Sequence, residues 1–487
     1  AVNRVKARSA VYVQLLDQWR YEKCNYIGVN QYRRISSGTI RFGEIWDTEG
    51  TYFFAREVTL PALGKEVDWY LEFDIGGEAE VYAGDLPLGS LDTEHSDVLL
   101  AHTAESLTFP VKVQATRHAH DYVRSRRASG REYGCHLFRS VRLAARNLRL
   151  TEFCSLATAL LQLMDCDALS PQVREEIFEC LKDVLYETDY FAEIGTLEAQ
   201  VETGRKRLLD KIHSLQPTSD FGRSIFMGHS HLDLAFKWTY KETYRKIERT
   251  LSNSVNLMER YPEVTYVQSQ MHILETLAEG YPQLFQRVRK LISEGRLETV
   301  GDVYVEFDTN IPSGESLIRQ FLYGREIAAN LTGTHSRVCF LPDTFGYSGI
   351  LPQIMRQAGF EYFVTAKLSW NDTNKPQDLS FLWTGIDGSN IRTHLIDGYG
   401  GNPDPGRLNA VCRDSRRASM PNGDCHIYQY GAGDGGGGIS EEHILMIRAL
   451  EELKVFTQVS HMTLEQAMEQ VFQDVEEHEL PVRAGEL

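Results

Sequence analysis

The stretch Ile225-Phe-Met-Gly-His-Ser-His-Leu-Asp233 decides how this chain is interpreted, because it places imidazole and carboxylate groups directly after a short apolar run. Enzymes built of alternating strands and helices keep their chemistry at the ends of strands. Successive side chains of a strand point to opposite faces, so His231 and Asp233 point the same way and can bind one metal ion. The pattern indicates a metal-dependent hydrolase, although an isolated His-x-Asp pair is more often a surface hydrogen bond or a satisfied core contact.

A second strand-end acid lies in Leu341-Pro-Asp343-Thr-Phe-Gly346, which follows the apolar run 338–341. The surrounding residues give Asp343 little structural purpose, and two such acids at strand ends favour a shared site. Composition and spacing alone leave this site and a purely structural interpretation equally open.

Apolar strand-like segments alternate with helical ones from Arg223 onward. The alternation predicts a largely parallel, barrel-like sheet of about seven strands in a (β/α)7-type catalytic domain at 219–487. The segments are 225–229, 264–269, 297–305, 337–341, 362–367, 391–397 and 425–431. Ser313 is predicted to cap a helix over 314–330 that ends at Gly333. Thr463-Leu-Glu-Gln466 is a capping-box pattern that opens another helix through Val471.

Three regions are predicted ahead of that domain. Helical spacing in 11–25 indicates an N-terminal helical segment over 1–35. Short alternating runs such as 52–58 and 67–73, punctuated by turn residues, predict an antiparallel β-sandwich over 36–148. Apolar positions at helical intervals then predict a helical connector over 149–218. Sandwiches of this kind bind sugars or serve as packing modules.

Composition limits the partners. The 487 residues include 51 basic and 68 acidic side chains, a net charge of -17, which disfavours nucleic acid and anionic membranes and suits a neutral substrate. The eight cysteines are scattered without a Cys-x-x-Cys pair, as expected of reduced thiols in the cytoplasm. The sequence contains neither a targeting segment nor an apolar run long enough to span a membrane, so we expect no membrane partner.

A glycine tract, Gly431-Ala-Gly-Asp-Gly-Gly-Gly-Gly438, follows the seventh predicted strand. It lacks the Lys-Ser or Lys-Thr of a phosphate-binding loop. We interpret its glycines as clearance that lets the backbone pass close to a substrate while Asp434 projects. The alternative is a flexible loop with a solvated acid.

The motifs that follow one another in the second half are Gly228-His-Ser-His-Leu-Asp-Leu-Ala235, Val300-Gly301, Val305-Glu306, Asp308-Thr-Asn310, Pro312-Ser-Gly-Glu-Ser316, Arg319-Gln320-Phe321, Leu341-Pro-Asp-Thr-Phe-Gly-Tyr-Ser348, Lys367-Leu-Ser-Trp-Asn371, Trp383, Gly385-Ile-Asp-Gly-Ser389 and Gly433-Asp-Gly-Gly-Gly-Gly438. Together they resemble the catalytic domain of glycoside hydrolase family 38, the α-mannosidases, most closely the cytosolic branch. The regions ahead of the barrel resemble that branch in architecture only.

The resemblance implies a role for each matching residue. His231 and Asp233 become ligands of a divalent metal, most simply zinc with cobalt as an alternative, and Asp343 becomes both ligand and nucleophile. His229 becomes a neighbour of the metal site. These enzymes retain configuration, so a second carboxyl group serves as acid and base about 5 to 5.5 Å away. Asp434 is the candidate for that group, with Asp397 and Asp404 in reserve.

The resemblance also implies a substrate site for mannose-containing oligosaccharides. Lys367 matches the cation that keeps the nucleophile ionised. The other expected substrate contacts are Phe236, Trp370 and Asp308.

Some positions depart from the family pattern. Phe236 stands where the family has Trp, Lys237 and Thr239 replace Leu and Pro, and the stretch Val300-Gly-Asp-Val-Tyr304 lacks a second glycine and a Trp. The family's fourth metal ligand is a histidine from a helical domain beyond the barrel, and we expect this domain and the β domain after it to be absent from 1–487. His394 can replace that ligand only if it faces the cluster.

The leading hypothesis is a retaining, metal-dependent α-mannosidase that hydrolyses free oligosaccharides in the cytosol, incomplete in this chain and compatible with a homo-oligomer. A non-catalytic carbohydrate-binding or scaffold protein on a decayed barrel is the first alternative. A metal-dependent carbohydrate deacetylase is the second, since His-x-Asp clusters also serve that reaction. Linkage specificity and the physiological metal are not specified by the sequence.

Overall fold

The protein is multidomain, with antiparallel sheets in its first part and parallel strands in its second. The structure is a computed structural model that describes residues 1–47, 50–92, 94–117, 135–166, 169–215, 222–417, 425–433 and 435–487. Asp434, the expected acid and base, lies outside the described residues.

Two antiparallel sheets form the first part, after a short helix at Val2–Ser9. The strands are β1 (Ala10–Leu15), β2 (Trp19–Gly28), β3 (Gln31–Ile40), β4 (Ile45–Asp47), β5 (Thr51–Leu60), β6 (Val67–Asp74), β7 (Glu78–Ala83), β8 (Leu86–Leu91), β9 (Asp97–Thr103), β10 (Leu107–Thr116), β11 (Cys135–Leu137) and β12 (Ser140–Arg146). One sheet has the strand order β1-β12-β6-β9 and the other β3-β2-β5-β10-β7-β8, while β4 and β11 form a separate pair. The core shared by the two sheets contains the fully buried Trp19, Trp69 and Phe54.

The predicted helix over 11–25 is wrong. These residues belong to β1 and β2, and β1 pairs antiparallel with β12 from Ala10 to Leu15. The four apolar positions with helical spacing are Val11, Leu15, Leu16 and Trp19, and only the last two are buried. The run Val11-Tyr-Val13 is rich in β-branched and aromatic residues, which favour a pleated strand, and the free edge of β12 supplies its partner.

Three helices follow the sandwich, at Leu148–Met164, Pro171–Glu187 and Ile194–His213, where helices were predicted. Asn147 and Ser170 cap the first two, because each side chain accepts a hydrogen bond from a backbone N–H of the first turn. The apolar faces of the three helices pack on one another and on Ala449, Leu453 and Phe456. This contact joins the connector to the second half of the chain.

The second half alternates strands with helices. The helices are Tyr240–Arg260, Met271–Gly280, Pro282–Ser293, Gly314–Leu331, Leu351–Gln357, Pro405–Arg417, Glu441–Glu452 and Leu464–Val471. The strands are β13 (Arg223–His229), β14 (Tyr266–Gln268), β15 (Leu297–Thr299), β16 (Val338–Phe340), β17 (Tyr362–Thr365), β18 (Ser380–Thr384), β19 (Asn390–Leu395), β20 (Cys425–Tyr430), β21 (Gln458–His461) and β22 (Val482–Ala484).

These strands form two five-stranded sheets among the described residues. The first has the parallel order β15-β14-β13-β20, with β21 also paired to β13, and the second has the order β16-β17-β19-β18-β22. Gly301 N–H donates to the Val338 carbonyl at 3.0 Å, and Gly401 and Gly431 form a bridge, so the two sheets approach at two seams.

Each predicted segment contains a strand, but the single sheet of seven parallel strands is not what is observed. The strands β18, β21 and β22 were missed, and β18 runs antiparallel to β19. The turn at Gly388, with φ of +87°, reverses the chain between them. A hairpin this short carries too few residues to show its own periodicity.

The predicted helix boundaries in this half are confirmed. The Ser313 side chain accepts from Ser316 N–H at the start of Gly314–Leu331, and Gly333 follows its end with φ of +75°. Thr463 and Gln466 form the expected capping box at Leu464–Val471. No helix of the described ranges is long and apolar enough to cross a membrane.

Candidate metal and catalytic site

Three ligating side chains converge where β13 and β16 end. His231 Nε2 lies 3.4 Å from Asp233 Oδ1 and 3.3 Å from Asp343 Oδ2. One ligand atom from each residue lies within 4.8 Å of the others. Within the part of the chain that the structure describes, this is the one group of three or more such side chains close enough to share an ion.

The donor set fits a divalent metal. Imidazole nitrogens and carboxylate oxygens both bind zinc, and a catalytic zinc with three protein ligands keeps a further position open for water or substrate. The two carboxylates also favour a positive charge on His231 when no metal is bound. Burial opposes a proton on His231, but its hydrogen bonds to Asp233 and Asp343 raise the pKa of the imidazole to about 10. A cluster that holds a proton so firmly is electrostatically suited to a cation.

Glu306 lies behind the cluster. Its Oε1 accepts from the backbone N–H of Asp343 at 2.5 Å and from the Thr344 hydroxyl at 3.0 Å. Its Oε2 faces His231 Nδ1 at 3.5 Å, and neither of these buried atoms has a hydrogen-bond partner. A carboxylate beside the outer nitrogen of a ligating imidazole fixes the tautomer and orientation of the ring.

The sequence prediction gave Glu306 no role, although the residue was part of a quoted motif. It directly follows the third predicted strand segment, 297–305. The rule that drew attention to Asp343, an acid placed directly after a strand, identifies Glu306 as well.

Asp343 is held as a carboxylate. Its Oδ1 accepts a hydrogen bond from the Tyr399 hydroxyl at 2.8 Å and forms an ion pair with Lys367. Burial opposes the charge, but hydrogen bonds from His231 and Lys367 outweigh it and lower the pKa of the Asp343 carboxyl to about 2. Lys367 therefore lies where the sequence analysis expected a cation. Tyr399 was not predicted, because it reaches the site from a loop after β19.

Aromatic rings surround the ammonium group of Lys367. Its Nζ lies 3.4 Å from the centre of the Trp370 ring and 4.7 Å from that of Phe345. The rings of Trp370 and Tyr399 stack with centroids 6.4 Å apart. Trp370 is 61% exposed and Phe345 is 77% exposed, so both offer an apolar face to a ligand.

Phe236 and Asp308, the other expected substrate contacts, lie in loops. Phe236 is 55% exposed, and its ring meets Trp238 edge-on at 6.0 Å. Asp308 Oδ1 accepts from the backbone N–H groups of Asn310 and Ile311, each at 2.8 Å. Asp308 thus shapes its own turn.

The remaining histidines named from the sequence are outside the cluster. His229 is buried, and its Nδ1 lies 2.6 Å from the Tyr399 carbonyl oxygen. Burial lowers the pKa of its imidazole to about 3, so His229 is neutral and donates from Nδ1. His394 bonds to the Ser380 hydroxyl at 2.9 Å, and burial lowers its pKa to about 3. It is not part of the ligand group.

The two reserve acids contact the same arginine. Arg407 Nε donates to Asp397 Oδ2 at 3.0 Å, and the Arg407 backbone N–H donates to Asp404 Oδ1 at 3.0 Å. Asp404 thereby satisfies the first turn of Pro405–Arg417.

The glycine tract passes close to the protein's own backbone beside the cluster. Gly436 N–H donates to the His231 carbonyl at 3.2 Å, and Gly438 N–H donates to the Ser230 hydroxyl at 3.0 Å. A Cβ on Gly431, whose φ is +140°, would lie 2.2 Å from the His229 carbonyl oxygen. The clearance expected of these glycines therefore serves the end of β13 itself.

The departures at 302 and 304 have structural roles. Asp302 is fully buried with φ of +42°, and its Oδ2 accepts from Ser336 N–H at 3.0 Å and pairs with Arg325 at 3.4 Å. The Tyr304 hydroxyl lies 3.0 Å from His272 Nδ1.

The fold is that of an α/β protein in which three side chains able to hold a metal ion meet at the ends of strands. The chain belongs to glycosyl hydrolase family 38, because the model described as "Glycosyl hydrolases family 38 N-terminal domain" matches residues 223–486, more than half of the 487 residues. The resemblance stated from the sequence motifs is confirmed.

Three relatives illustrate the similarity. Alpha-mannosidase G of Dictyostelium discoideum is 38% identical over 53% of this chain and 23% of that protein. The Alpha-mannosidase of Saccharomyces cerevisiae is 33% identical over 68% and 30% of the two chains. Human Alpha-mannosidase 2C1 is 38% identical over 46% and 21%. The matched part of this chain thus spans less than a third of each relative's length.

Proposed function

We propose that this chain carries the catalytic site of a retaining, metal-dependent α-mannosidase. The convergence of His231, Asp233 and Asp343 at the ends of two strands supports this proposal more than any other observation. The family and the names of the relatives support the mannoside as substrate class. The ordered motifs of the sequence and the geometry of the cluster lead to the same residues.

Asp343 acts as the nucleophile. Oδ1 faces Lys367 and Tyr399, while Oδ2 faces His231, so both oxygens are polarised and the group is ionised at neutral pH. A carboxylate held in this way attacks the anomeric carbon without prior loss of a proton.

His231, Asp233 and Asp343 hold the divalent metal, which we propose to be zinc or, as an alternative, cobalt. When bound, the metal supplies Lewis acidity and orients the hydroxyl groups of the sugar. The charge of Glu306 faces His231 Nδ1 at 3.5 Å and favours a proton on that nitrogen, and the hydrogen bond that Glu306 accepts from the Asp343 backbone N–H fixes the start of the loop that carries the nucleophile.

Asp434 is the proposed acid and base. Retention of configuration requires a second carboxyl group about 5 to 5.5 Å from the nucleophile, which protonates the leaving oxygen and later activates water. Gly436 follows Asp434 by two residues, and its N–H donates to the His231 carbonyl. This hydrogen bond supports the choice of Asp434. Asp397 and Asp404 are weaker candidates, because both are engaged by Arg407.

We propose free, mannose-containing oligosaccharides of the cytoplasm as substrates. The net charge of -17 suits a neutral ligand better than a polyanion. The exposed faces of Phe236 and Trp370 provide surfaces on which sugar rings stack, and Asp308 offers a hydrogen-bond acceptor. Assembly into a homo-oligomer is part of the same proposal and is measurable by light scattering.

The test is hydrolysis of an aryl α-mannoside before and after chelation. Removal of the metal is expected to abolish turnover, and added zinc or cobalt is expected to restore it. Asp343→Asn is expected to lower kcat on the order of 10³-fold or more, because the nucleophile is lost. Asp387→Asn, in an exposed turn, is the matched control and should keep the rate.

Full turnover by a metal-free sample would overturn the mechanism. Calorimetric mannose binding without turnover would favour the non-catalytic carbohydrate-binding alternative. Acetate release from an acetylated sugar would favour the deacetylase.

A further inference from the structure

The helix Tyr240–Arg260 is the contact between the sandwich and the candidate site. One face of this helix carries buried charged side chains that meet acids of the sandwich strand β7. A buried charge is stable only when it is paired and hydrogen-bonded, so these contacts fix the helix on the sandwich with little freedom. The buried ion-paired side chains of this interface are Glu78, Glu242, Arg245, Lys246 and Arg249.

Lys246 connects the sandwich to the glycine tract. Its Nζ donates to Glu78 Oε2 at 2.7 Å and to the Gly435 carbonyl at 3.0 Å. The side chain is 4% exposed. Arg249 also pairs with Glu78 at 2.7 Å, so the carboxylate that orients Lys246 is itself held in place.

His95 makes a second connection from the sandwich. Its Nε2 lies 3.1 Å from the Ile439 carbonyl oxygen, and its Nδ1 lies 2.9 Å from Asp92 Oδ1. Asn253 lies two turns after Lys246 in the helix Tyr240–Arg260 and donates to the Ile439 carbonyl at 2.6 Å. The Asn253 amide nitrogen also lies 3.4 Å from His95 Nε2. The nearer neighbours of the two ring nitrogens are the Ile439 carbonyl and the Asp92 carboxylate, and these two acceptors suit a protonated imidazole.

Between these two contacts, the segment 435–439 meets the backbone of the candidate metal site. Gly436 N–H donates to the carbonyl of His231, and the Thr250 hydroxyl donates to the Gly436 carbonyl. The segment 435–439 is therefore held at both ends by groups that the sandwich orients, and its middle holds the backbone of a candidate ligand.

We propose that the sandwich positions the segment 435–439 against the end of β13, with Lys246 and His95 as positioning residues for the reaction. This inference rests on the proposed function and assigns the sandwich a role in catalysis rather than in sugar binding. The proposed effect on the reaction depends on the contacts of Lys246 and His95 with the segment 435–439, and not on the overall stability of the interface.

The test compares Lys246→Met with Arg245→Met. Arg245 is the neighbouring buried cation of the same interface and pairs with Glu242 at 2.6 Å and with Thr51 at 3.0 Å, both away from 435–439. Each substitution removes one buried cation. Asn256→Ala, which loses bonds to the Pro87 and Leu88 carbonyls, is a milder control.

Amide hydrogen exchange of 435–439 and steady-state hydrolysis of an aryl α-mannoside are the measurements. Lys246→Met and His95→Phe are expected to speed exchange in that segment and to lower kcat about tenfold or more with KM little changed, since misplaced catalytic geometry costs up to about 10² in rate. Lys246→Arg should restore much of both. Arg245→Met and Asn256→Ala should leave both near wild type at temperatures where they are folded.

Equal rates of amide exchange in 435–439 for Lys246→Met and Arg245→Met would overturn the inference. If Lys246→Met does not fold, the comparison is made with His95→Phe, and wild-type exchange in that variant would overturn the inference. Failure of the proposed function is a separate result. If the wild type hydrolyses no mannoside, the exchange comparison, together with zinc affinity measured by chelator competition, still tests the positioning.

Discussion

Asp343 and His231 form a charge-compensated pair in which each group stabilises the ionised form of the other. Lys367 adds a second cation on the other oxygen of Asp343. All three side chains are largely buried, so these attractions are screened less than they would be at the surface. Asp343 is therefore suited to attack as a carboxylate, and His231 to exchange its proton for a metal.

Glu306→Gln tests the support behind the cluster. The substitution keeps the shape of the side chain but removes the charge that faces His231 Nδ1, so we expect metal affinity to fall about 10- to 100-fold. Competition with a chelator measures this affinity. Glu315→Gln, an exposed acid on the helix Gly314–Leu331, is the control, and equal affinities for the two variants would contradict a role for Glu306.

The end of strand β13 is shaped by the glycine tract that packs on it. Gly431→Ala would place a Cβ 2.2 Å from the His229 carbonyl at a φ of +140°. We expect a loss of about 1–3 kcal/mol in the free energy of unfolding, since neither backbone can move without breaking its hydrogen bonds. Denaturant titration measures the change.

Gly195→Ala is the matched control for that prediction. Gly195 lies in the first turn of Ile194–His213, where an added Cβ meets nothing within 4 Å. Alanine favours a helix by about 1 kcal/mol over glycine, so stability should stay equal or rise. Loss of the same size in both variants would show that the contact at Gly431 does not matter.

Local sequence signals explain which elements were predictable. The helices Gly314–Leu331 and Leu464–Val471 follow from capping residues within a few positions of each start. The segment 11–25 was mispredicted because its strands depend on partners outside the segment: β1 pairs with β12, more than a hundred residues away, and β2 pairs with β3 and β5. Strand-end acids revealed Asp343, whereas Tyr399 reaches the site through a loop whose path only the folded chain defines.

For the molecule as a whole, we expect the contact that His95 makes between the sandwich and the segment 435–439 to depend on pH. Burial opposes its charge, but Asp92 raises the pKa of His95 to about 9. Glu94 and His443 are the other titratable groups near the ring. A raised histidine pKa contributes stability that is complete below the ordinary value of 6.5 and is lost as the pH rises through about 9.

We therefore expect the wild type to lose stability between pH 6.5 and 9 by more than His95→Phe loses over the same interval. Denaturant titrations at several pH values measure both slopes. Parallel slopes for the two proteins would contradict the proposed protonation of His95.

Every role proposed for this site depends on one divalent ion bound by His231, Asp233 and Asp343. The decisive measurement is anomalous X-ray scattering at the zinc edge from zinc-soaked crystals. We expect a single strong peak at about 2.0–2.2 Å from His231 Nε2 and from one oxygen of each carboxylate. Zinc bound elsewhere while these three side chains keep their direct contacts would contradict it.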